Sequence, residues 1–191
     1  HYAAGELERL GAPKRKIAVA PLSAVFEPQA NELDRQGPMR LLFAGRMIAY
    51  KGADLLADAL PRLGARDDWR LTIAGDGPVF DGAMRARFQS DKIELRPGWM
   101  SEAALDTLIA SCDILLAPYR SATQSGVVAQ ALAHGRPCIV TPVGALPEQI
   151  GDGAAGWVTR AADTQSLADV LVQALKDDKA WAAKARGAAE I

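Results

Sequence analysis

Residues 121–148 read SATQSGVVAQALAHGRPCIVTPVGALPE, and this stretch decides the fold class. The small-residue turn at 125–126 and the apolar residues after it predict a short helix over 127–134. Gly and Pro at 135–137 end that helix, and the apolar run at 138–141 is typical of a buried strand. A turn, a short apolar helix and a buried strand in this order indicate a helix–strand unit of a parallel α/β sheet.

The turn at 125–126 also suggests a chemical role. The first N–H groups of a helix lack partners within the helix, and the helix dipole places partial positive charge there. The N–H groups of Ser125, Gly126 and Val127 are therefore suited to bind a phosphate. A plain turn and helix cap is the alternative that this stretch, taken alone, leaves open.

Strand and helix patterns alternate from residue 40 onward. Strands are predicted at 41–44, 69–74, 92–95, 113–117, 138–141 and 156–158. Helices are predicted at 53–63, 80–88, 101–111, 127–134, 164–175 and 179–189. Continuous apolar strands such as ILLA at 114–117 fit a parallel sheet that is covered on both faces. We therefore predict an α/β fold, a doubly wound Rossmann-like parallel sheet of about six strands with helices on both faces and any ligand at the carboxyl ends of the strands.

Residues 1–38 follow a different pattern. The end of a helix is predicted at 6–10, a weakly alternating strand at 16–20 and a linker at 26–38, which contains proline and glycine. Because the regular alternation begins after this segment, we place the ligand-binding domain at 39–191.

Composition and charge exclude several classes of function. The chain has 191 residues, of which 49% are apolar and 24% are charged, as in ordinary soluble domains. Its formal net charge of -1 gives no reason to expect nucleic acid or an anionic membrane as a partner, so any anion site must be local. Cys112 and Cys138 lie in apolar stretches without metal-ligand spacing, and we expect them to be buried free thiols of a reducing compartment.

Targeting signals are not evident in the sequence. No run of about 18 apolar residues and no signal-peptide pattern is present, which predicts a cytoplasmic protein without a membrane span. Because the chain begins with His1, we expect a fragment or a processed product.

A second loop carries positive charge at the end of a predicted strand. It spans 45–52 and reads GRMIAYKG. Gly45 allows a close ligand, Arg46 can hold a phosphate through two parallel hydrogen bonds, and Lys51 adds a point charge. A solvated surface loop is the alternative for these residues. Because this loop and the turn at 125–126 both follow strands of one sheet, we expect them to open onto one crevice and to bind an anionic, nucleotide-like ligand.

Other chemically interesting residues have simpler explanations. The GDG sequence at 75–77 lacks the third glycine of a dinucleotide fingerprint and is expected to form a tight turn. His134 lies in the last turn of its helix, where it complements the dipole, and this role is preferred over that of a catalytic base. Trp99 is the tryptophan that could line a pocket, with edge packing as the alternative. The sequence offers no Ser/His/Asp or Cys/His set and no metal-ligand cluster, so catalytic residues are unassigned and no metal is expected.

Several short segments occur in a specific order over most of the chain. They are KI, PLS and FEP between 16 and 28, LLFAGRMIAYKGADLLADAL at 41–60, LTIAGDGP at 71–78, LDTLIASCDILLAPY at 105–119 and QALAHGRPCIVTPVGALPEQIGDGAAGWV at 130–158. Together they resemble the C-terminal, donor-binding domain of the GT-B-fold retaining glycosyltransferases that use nucleotide sugars (family GT4). By this resemblance, residues 1–38 are the interdomain segment and a remnant of the N-terminal domain, and 39–191 are the nucleotide-sugar domain.

The resemblance assigns roles around a nucleotide sugar. The donor diphosphate would be bound by Gly45, Arg46, Lys51, Ser125, Gly126 and Val127. Positive charge is needed there because negative charge grows on the leaving nucleoside diphosphate as the glycosidic bond breaks. The remaining positions are Gln130 at the ribose, Ser121 and Ala122 on the sugar side, and Arg96, Pro97 and Gly98 on the base side.

Two of these positions depart from the family pattern. The family often carries a pair of glutamates here, but this chain has Gln130 at the second position and Ala122, or its neighbour Ser121, at the first. Gln130 is still able to accept from one ribose hydroxyl and to donate to another, without a charge. The missing carboxylates favour, as the alternative, a non-catalytic nucleotide- or sugar-binding domain derived from the same fold.

The implied activity is transfer of a hexosyl-type sugar from a nucleotide sugar to a glycan or glycolipid acceptor with retention, in surface polysaccharide biosynthesis. The acceptor would bind to an N-terminal domain that this chain lacks, so we expect the chain to be inactive alone. No metal or other cofactor is implied, and peripheral association of the full-length protein with the inner face of the membrane is compatible with the family. An unrelated doubly wound binding module is a third interpretation, and a Rossmann dehydrogenase is disfavoured because the glycine fingerprint is missing.

Overall fold

One parallel sheet forms the centre of the molecule in a computed structural model that describes residues 2–18 and 37–191. In chain order its strands are β1 (Met39–Ala44), β2 (Trp69–Gly75), β3 (Ile93–Pro97), β4 (Ile114–Ala117), β5 (Cys138–Val140) and β6 (Gly156–Val158). They lie side by side in the order β3-β2-β1-β4-β5-β6, and every adjacent pair is parallel. The predicted doubly wound parallel sheet is confirmed.

Helices cover both faces of this sheet. They are α1 (Tyr2–Arg9), α2 (Ala53–Ala59), α3 (Gly82–Ala86), α4 (Glu102–Ser111), α5 (Gly126–Ala133), α6 (Leu146–Gln149), α7 (Thr164–Ala174) and α8 (Asp178–Ala189). Short 3₁₀ turns lie at Lys14–Lys16, Ala49–Lys51, Leu60–Leu63 and Gly151–Gly153. α2 links β1 to β2 and α5 links β4 to β5 in the opposite direction, so right-handed crossovers place α2 and α5 on opposite faces. α2 packs against α7, and α5 packs against α4 and α8.

The strands are buried because helices lie on both sides of them. All four residues of β4 are buried, and β1 has a single exposed position. Phe43, Leu71 and Ile114 are among the largest side chains that are fully buried. Burial of a side chain of this size stabilises the fold by about 1.5–3 kcal/mol. The continuous apolar runs in the sequence therefore reflect two covered faces.

Side-chain caps begin several helices. Ser101 accepts a hydrogen bond of 3.2 Å from the N–H group of Ala104, which is the cap predicted for α4. Asp163 and Asp177 accept in the same way from the first turns of α7 and α8. Each cap of this kind stabilises its helix by about 1 kcal/mol.

The predicted helix at 53–63 changes character part of the way along. α2 ends at Ala59, and residues 60–63 continue as a 3₁₀ turn. Pro61 explains the change, because proline has no N–H group for the α-helical ladder.

The predicted helix at 80–88 is too long. Asp81 caps α3, which extends only to Ala86. Phe80 and Phe88 are both buried outside the helix, with their ring centroids 6.3 Å apart. Their apolar spacing therefore reflects packing into the core and not a longer helix.

Three further expectations need correction or lie outside the described residues. The strand predicted at 16–20 is wrong as far as it is described, because Lys14–Lys16 form a 3₁₀ turn and residues 17–18 belong to no strand. The rest of that stretch and most of the linker predicted at 26–38 lie outside the described residues. β3 continues to Pro97, beyond its predicted end, and proline is tolerated because β3 is an edge strand. α6 is not predicted at all.

The strand order reverses between β1 and β4. The chain leaves β1 towards β2 and leaves β4 towards β5, so the two outgoing loops diverge to opposite faces. The space between them, which we call the β1–β4 crevice, is bordered by residues 45–52 after β1 and 118–127 after β4. Doubly wound proteins bind their ligands at such a reversal.

Candidate functional site

The two loops singled out in the sequence meet at Gly45. A Cβ atom added to Gly45 would lie 2.7 Å from Lys51 Nζ and 3.5 Å from Val127 Cγ2. The ammonium of Lys51 and the first turn of α5 therefore lie within a few ångströms of one point at the carboxyl end of β1. This is the common crevice that the sequence predicts for the two loops.

Lys51 is a buried cation without an anionic partner. Its exposed fraction is 8%, and within residues 2–18 and 37–191 its ammonium forms no ion pair and no hydrogen bond. Among the described residues the ammonium makes a cation–π contact with the Tyr119 ring, whose centroid is 5.3 Å from Nζ. Burial lowers the pKa of the Lys51 ammonium. An unpaired charge on a largely buried side chain is costly, and because Lys51 Nζ is not fully closed off from solvent an anionic ligand can reach it, so this arrangement favours such a ligand.

Arg46 adds a second positive charge at the rim of the crevice. Its side chain is exposed, and it forms no ion pair with any residue that the structure describes. The guanidinium is therefore free to approach a ligand from the solvent side, where its planar group can bind a phosphate through two hydrogen bonds.

The start of α5 offers two unoccupied N–H groups. Ser125 Oγ accepts from the N–H group of Val128 (3.3 Å), and the N–H group of Ser125 donates to Gln149 Oε1 (2.8 Å). Among the described residues no acceptor is bound to the N–H groups of Gly126 and Val127. A Cβ atom on Gly126 would have no neighbour within 4 Å, so there is room for a ligand. Of the three N–H groups predicted as phosphate donors, that of Ser125 is already bound to Gln149, and those of Gly126 and Val127 remain free among the described residues.

Backbone contacts fix the distance between the two loops. Gly52 adopts a left-handed conformation with φ of 72°, and a Cβ atom there would collide with the carbonyl oxygen of Pro118. The N–H group of Arg120 donates to the carbonyl of Tyr50 (2.6 Å), and the Arg120 side chain forms an ion pair with Asp54. Only glycine permits this approach at position 52, so it sets the width of the crevice.

The GDG sequence at 75–77 packs against the backbone of the loop that carries Arg46. The N–H group of Met47 donates to the carbonyl of Asp76 (2.8 Å), and a Cβ atom on Gly77 would collide with the carbonyl oxygen of Met47. The tight turn predicted at 75–77 lies later in the chain, because Gly75 is the last residue of β2 and the turn is closed by the hydrogen bond from Phe80 N–H to the Gly77 carbonyl (3.0 Å).

Gln130 belongs to a polar cluster between α4 and α5. It is buried, and its Nε2 donates to Asp106 Oδ1 (2.8 Å). The Nε2 atom of His134 lies 2.7 Å from the same oxygen. Hydrogen bonds from His134 and Gln130 lower the pKa of the Asp106 carboxyl. Because a carboxylate only accepts, the Gln130 amide must turn its nitrogen to Asp106 and its oxygen away from it.

The polar cluster shows where His134 lies and which residue it contacts. His134 caps the C-terminus of α5, as its predicted place at the helix end requires, and is buried beside Asp106. Asp106 has no place in the sequence-based predictions. The signal that could have found it is the prediction of two neighbouring helices, one carrying a single inward Asp and the other a His and a Gln one turn apart.

The predicted sugar-side positions lie in the loop after β4, and the predicted base-side positions lie at the end of β3. Ser121 is exposed and Ala122 is partly buried, in a loop held by a hydrogen bond from Ala145 N–H to the Thr123 carbonyl (3.0 Å). Arg96 is exposed and pairs with Glu94 (2.8 Å). Pro97 is exposed, and the N–H group of Gly98 donates to the Gly75 carbonyl (3.2 Å).

The base-side positions follow β3, which is separated from β4 by β2 and β1. Neighbouring strands lie about 4.8 Å apart, so the end of β3 is roughly 12 Å from the middle of the β1–β4 gap. A ligand that reaches both places must be extended along the edge of the sheet. Trp99, next to Gly98, is 85% exposed and so contributes almost nothing to the core.

Two positioning residues were missed by the sequence analysis. Tyr119 lies under Lys51 and places its hydroxyl 3.3 Å from Ser125 Oγ, and burial raises the pKa of Tyr119 to about 12, so its hydroxyl stays protonated. Gln149 holds the backbone of Ser125 from the other side. No local pattern marks either residue, because each acts across a distance in the sequence.

The thiols lie outside this chemistry. Cys112 and Cys138 are buried and free, as predicted. Burial raises the pKa of Cys112 to about 12, so its thiol stays protonated and unreactive. In the part of the chain that the structure describes, no three His, Cys, Asp or Glu residues are grouped as a metal site. None of the described helices is long and apolar enough to cross a membrane.

A six-stranded parallel sheet with helices on both faces and a strand-order reversal between β1 and β4 places the chain among the doubly wound α/β proteins. Comparison with known proteins defines it further. The profile of the family described as "Glycosyl transferases group 1" matches residues 38–177, and the chain belongs to this family.

Relatives and solved structures agree with this assignment. The chain is 31% identical over 178 residues to phosphatidyl-myo-inositol mannosyltransferase of Mycobacterium leprae, covering 91% of this chain and 47% of that protein. The Anabaena protein Alr3699/HepE, solved in complex with UDP and glucose, is similar with a TM-score of 0.66 and 18% identity over 81% of this chain and 43% of that chain. WaaG, a glycosyltransferase involved in lipopolysaccharide biosynthesis, is similar with a TM-score of 0.67 and 23% identity over 82% of this chain and 43% of that chain. This chain spans less than half the length of the proteins named here.

Proposed function

We propose that this chain is the donor-binding part of a glycosyltransferase and that it holds the diphosphate of a nucleotide sugar in the β1–β4 crevice. The observation that carries this proposal is the meeting at Gly45 of the Lys51 ammonium, which has no ionic partner among the described residues, and the Val127 side chain in the first turn of α5, where two N–H groups are free. A buried cation together with a helix N-terminus provides both the charge and the directed donors that a phosphate needs.

The proposed mechanism uses this charge at the moment of bond cleavage. As the bond between sugar and diphosphate breaks, negative charge accumulates on the leaving group. Lys51 and Arg46, with the N–H groups of Gly126 and Val127, lie where that charge develops and stabilise it. Because Lys51 and the two N–H groups are held in place before the reaction, these groups need little reorganisation.

The rest of the nucleotide sugar would extend from this anchor. The oxygen of Gln130, directed away from Asp106, would accept from a ribose hydroxyl. The sugar would face Ser121 and Ala122, and the base would reach Arg96, Pro97 and Gly98 at the end of β3. The extended path along the sheet edge agrees with the separation of these positions.

The complete reaction needs more than this chain. We propose transfer to a glycan or glycolipid acceptor with retention, in surface polysaccharide biosynthesis, with the acceptor bound by a preceding domain. Two observations support this part: the family membership of the chain and its similarity to WaaG, a glycosyltransferase involved in lipopolysaccharide biosynthesis. We further propose that the protein acts in the cytoplasm, at or near the inner face of the membrane, and needs no metal.

A non-catalytic nucleotide- or sugar-binding domain is the second candidate function. The observation that favours it is the absence of a carboxylate at Ser121, Ala122 and Gln130, the positions that border the proposed sugar and ribose. Transfer activity of the full-length protein separates this candidate from the first.

The experiment that tests the proposal is calorimetric titration of the chain with UDP, GDP and ADP, each beside its nucleoside. We expect saturable binding of one nucleoside diphosphate, much weaker binding of its nucleoside and at least tenfold weaker binding by Lys51→Met, as for a charged hydrogen bond. Lys179→Met, on the surface of α8, is the matched control and should bind normally. Binding of the diphosphate that does not depend on Lys51 would contradict the proposed site.

A further inference from the structure

The N-terminus of α5 is held by a residue of the next helix in the chain, α6. Gln149, the last residue of α6, forms two reciprocal hydrogen bonds with the backbone of Ser125. Its Oε1 accepts from the Ser125 N–H group (2.8 Å), and its Nε2 donates to the Ser125 carbonyl (3.0 Å). A side-chain amide that pairs with both polar groups of one residue fixes the rotation of that residue about its backbone.

This pairing decides which N–H groups face the crevice. Ser125 is extended, with φ of -133° and ψ of 120°, and its own N–H group points to Gln149. The next two N–H groups, those of Gly126 and Val127, have no acceptor among the described residues. A rotation of the Ser125 backbone would redirect both, because their orientation follows from its φ and ψ angles.

The hydrogen bonds between Gln149 and Ser125 are not required for the protein to fold. α6 is anchored by Leu146, which is fully buried, and by the hydrogen bond from Ala145 N–H to the Thr123 carbonyl (3.0 Å). The start of α5 has its own cap in Ser125 Oγ. Neither of these contacts uses the Gln149 side chain, so a variant at this position is expected to fold.

We propose that Gln149 is a positioning residue of the anion site, whose amide holds Ser125 so that the N–H groups of Gly126 and Val127 point at a bound diphosphate. This inference rests on the proposed function only for the identity of the ligand. Its physical content is that the two N–H donors are effective only while both hydrogen bonds of the Gln149 amide are made.

The test uses inorganic pyrophosphate, which probes the anion site without a base or a sugar. Binding to ¹⁵N-labelled protein is followed through the amide signals of Gly126 and Val127. In Gln149→Met both hydrogen bonds are lost, and we expect about tenfold weaker binding of pyrophosphate. The shifts that saturating pyrophosphate causes in the Gly126 and Val127 amide signals should be smaller than in the wild-type protein. A residue with a merely structural role would lower the melting temperature and leave the affinity of the folded protein unchanged.

A second variant separates hydrogen bonding from shape. Gln149→Glu keeps the size of the side chain, and ionised Glu can accept from Ser125 N–H but cannot donate to its carbonyl. Protonation restores the donor, so the deficit relative to wild type at the same pH should shrink as pH falls towards about 4–5, the range of a glutamate. Gln124→Glu, exposed in the same loop, is the matched control for added charge: its recovery on protonation measures loss of the charge alone and should be smaller than that of Gln149→Glu.

The outcomes distinguish this inference from the proposed function. Wild-type affinity for pyrophosphate in folded Gln149→Met, or equal behaviour of Gln149→Glu and Gln124→Glu, would overturn the positioning role. Pyrophosphate binding without binding of any nucleoside diphosphate would overturn the proposed function and leave the positioning role standing. If the wild-type chain binds neither, both fall.

Discussion

Two buried charges at opposite edges of the same pair of strands are treated differently. Asp113, just before β4 at the amino edge, is 1% exposed and receives three hydrogen bonds from Arg40, from its N–H group (2.7 Å), Nε (3.1 Å) and Nη2 (2.6 Å). Lys51, at the carboxyl edge, is 8% exposed and has no ionic partner in the described residues. The amino-edge charge is satisfied within the chain, whereas the carboxyl-edge charge is not.

The difference between Asp113 and Lys51 is that the first charge contributes to the stability of the fold and the second is available for binding. Burial of a charge destabilises a protein unless a partner compensates it. Arg40 supplies that partner to Asp113 on folding, so the pair ties β1 to β4. Lys51 stays uncompensated until an anion arrives, and the relief of that cost adds to the affinity of the anion. Four predictions test this contrast.

The largest expected effect is on stability, at the amino edge. Asp113→Ala should lower the free energy of unfolding by about 2–4 kcal/mol, less than for a fully buried pair because the Arg40 side chain is 49% exposed. Urea unfolding measures the change, with Asp91→Ala on the surface as control. The nucleotide affinity of the folded variant should be unchanged, and its loss would show that the two edges are not independent.

The carboxyl edge should respond with the opposite sign. Lys51→Met should weaken nucleoside diphosphate binding by about 1.5–3 kcal/mol, because a charge-assisted contact is lost. The same change should raise the free energy of unfolding by about 1 kcal/mol, since an uncompensated buried charge is replaced by an apolar side chain of similar length. Calorimetry and urea unfolding on one preparation provide both values. A variant that is clearly less stable than wild type would mean that Lys51 supports the fold.

Binding should depend on pH through Lys51. Burial lowers its pKa in the folded protein, and only the protonated form attracts a diphosphate. Affinity is therefore full below that lowered pKa and declines as pH rises through it, earlier than for an exposed lysine. The unliganded protein should gain stability over the same rise, because its unfolded state binds the proton more tightly. Titrations between about pH 7 and pH 10 measure the decline. Lys51→Arg, which stays charged, should remove it, and parallel curves would assign the titration elsewhere.

The smallest effect should come from the exposed charge at the rim. Arg46→Gln should weaken diphosphate binding by about 0.5–1 kcal/mol, because its interaction is made in contact with solvent. The loss should diminish at high salt, and the free energy of unfolding should change by less than about 0.5 kcal/mol. Affinities at low and high salt check this prediction. A loss as large as that of Lys51→Met would place Arg46 inside the crevice with the ligand.

The regular parts of the fold were predictable because their signals are local. Continuous apolar runs marked β1, β4 and β5, and the glycines at 45 and 126 marked both loops of the crevice. The errors also have local causes. Phe80 and Phe88 suggested a longer helix because apolar spacing does not distinguish helix from core packing, and α6, at four residues, is too short for a period to appear.

The polar contacts of the site were not predictable in the same way. The pairing of Gln149 with Ser125, and of Asp106 with Gln130 and His134, joins residues on different elements. The sequence next to each of these residues does not indicate which residue it pairs with. The consequence is that the cationic residues of the proposed site could be named from the sequence, whereas the groups that orient the N–H donors required coordinates.

The meeting of Lys51 and Val127 over Gly45 also bears on how the chain matures. The two halves of the anion site are synthesised far apart in time, and the Gln149 contact later still. No nascent or partly folded chain that lacks β4 and α5 has both sides of the proposed anion site, so under the proposed function a diphosphate would bind only after the sheet is complete. Ligand that binds the native state alone shifts the equilibrium away from opened forms in proportion to its concentration. Supply of the nucleotide would thereby protect the finished protein from proteases while leaving incomplete chains exposed to them.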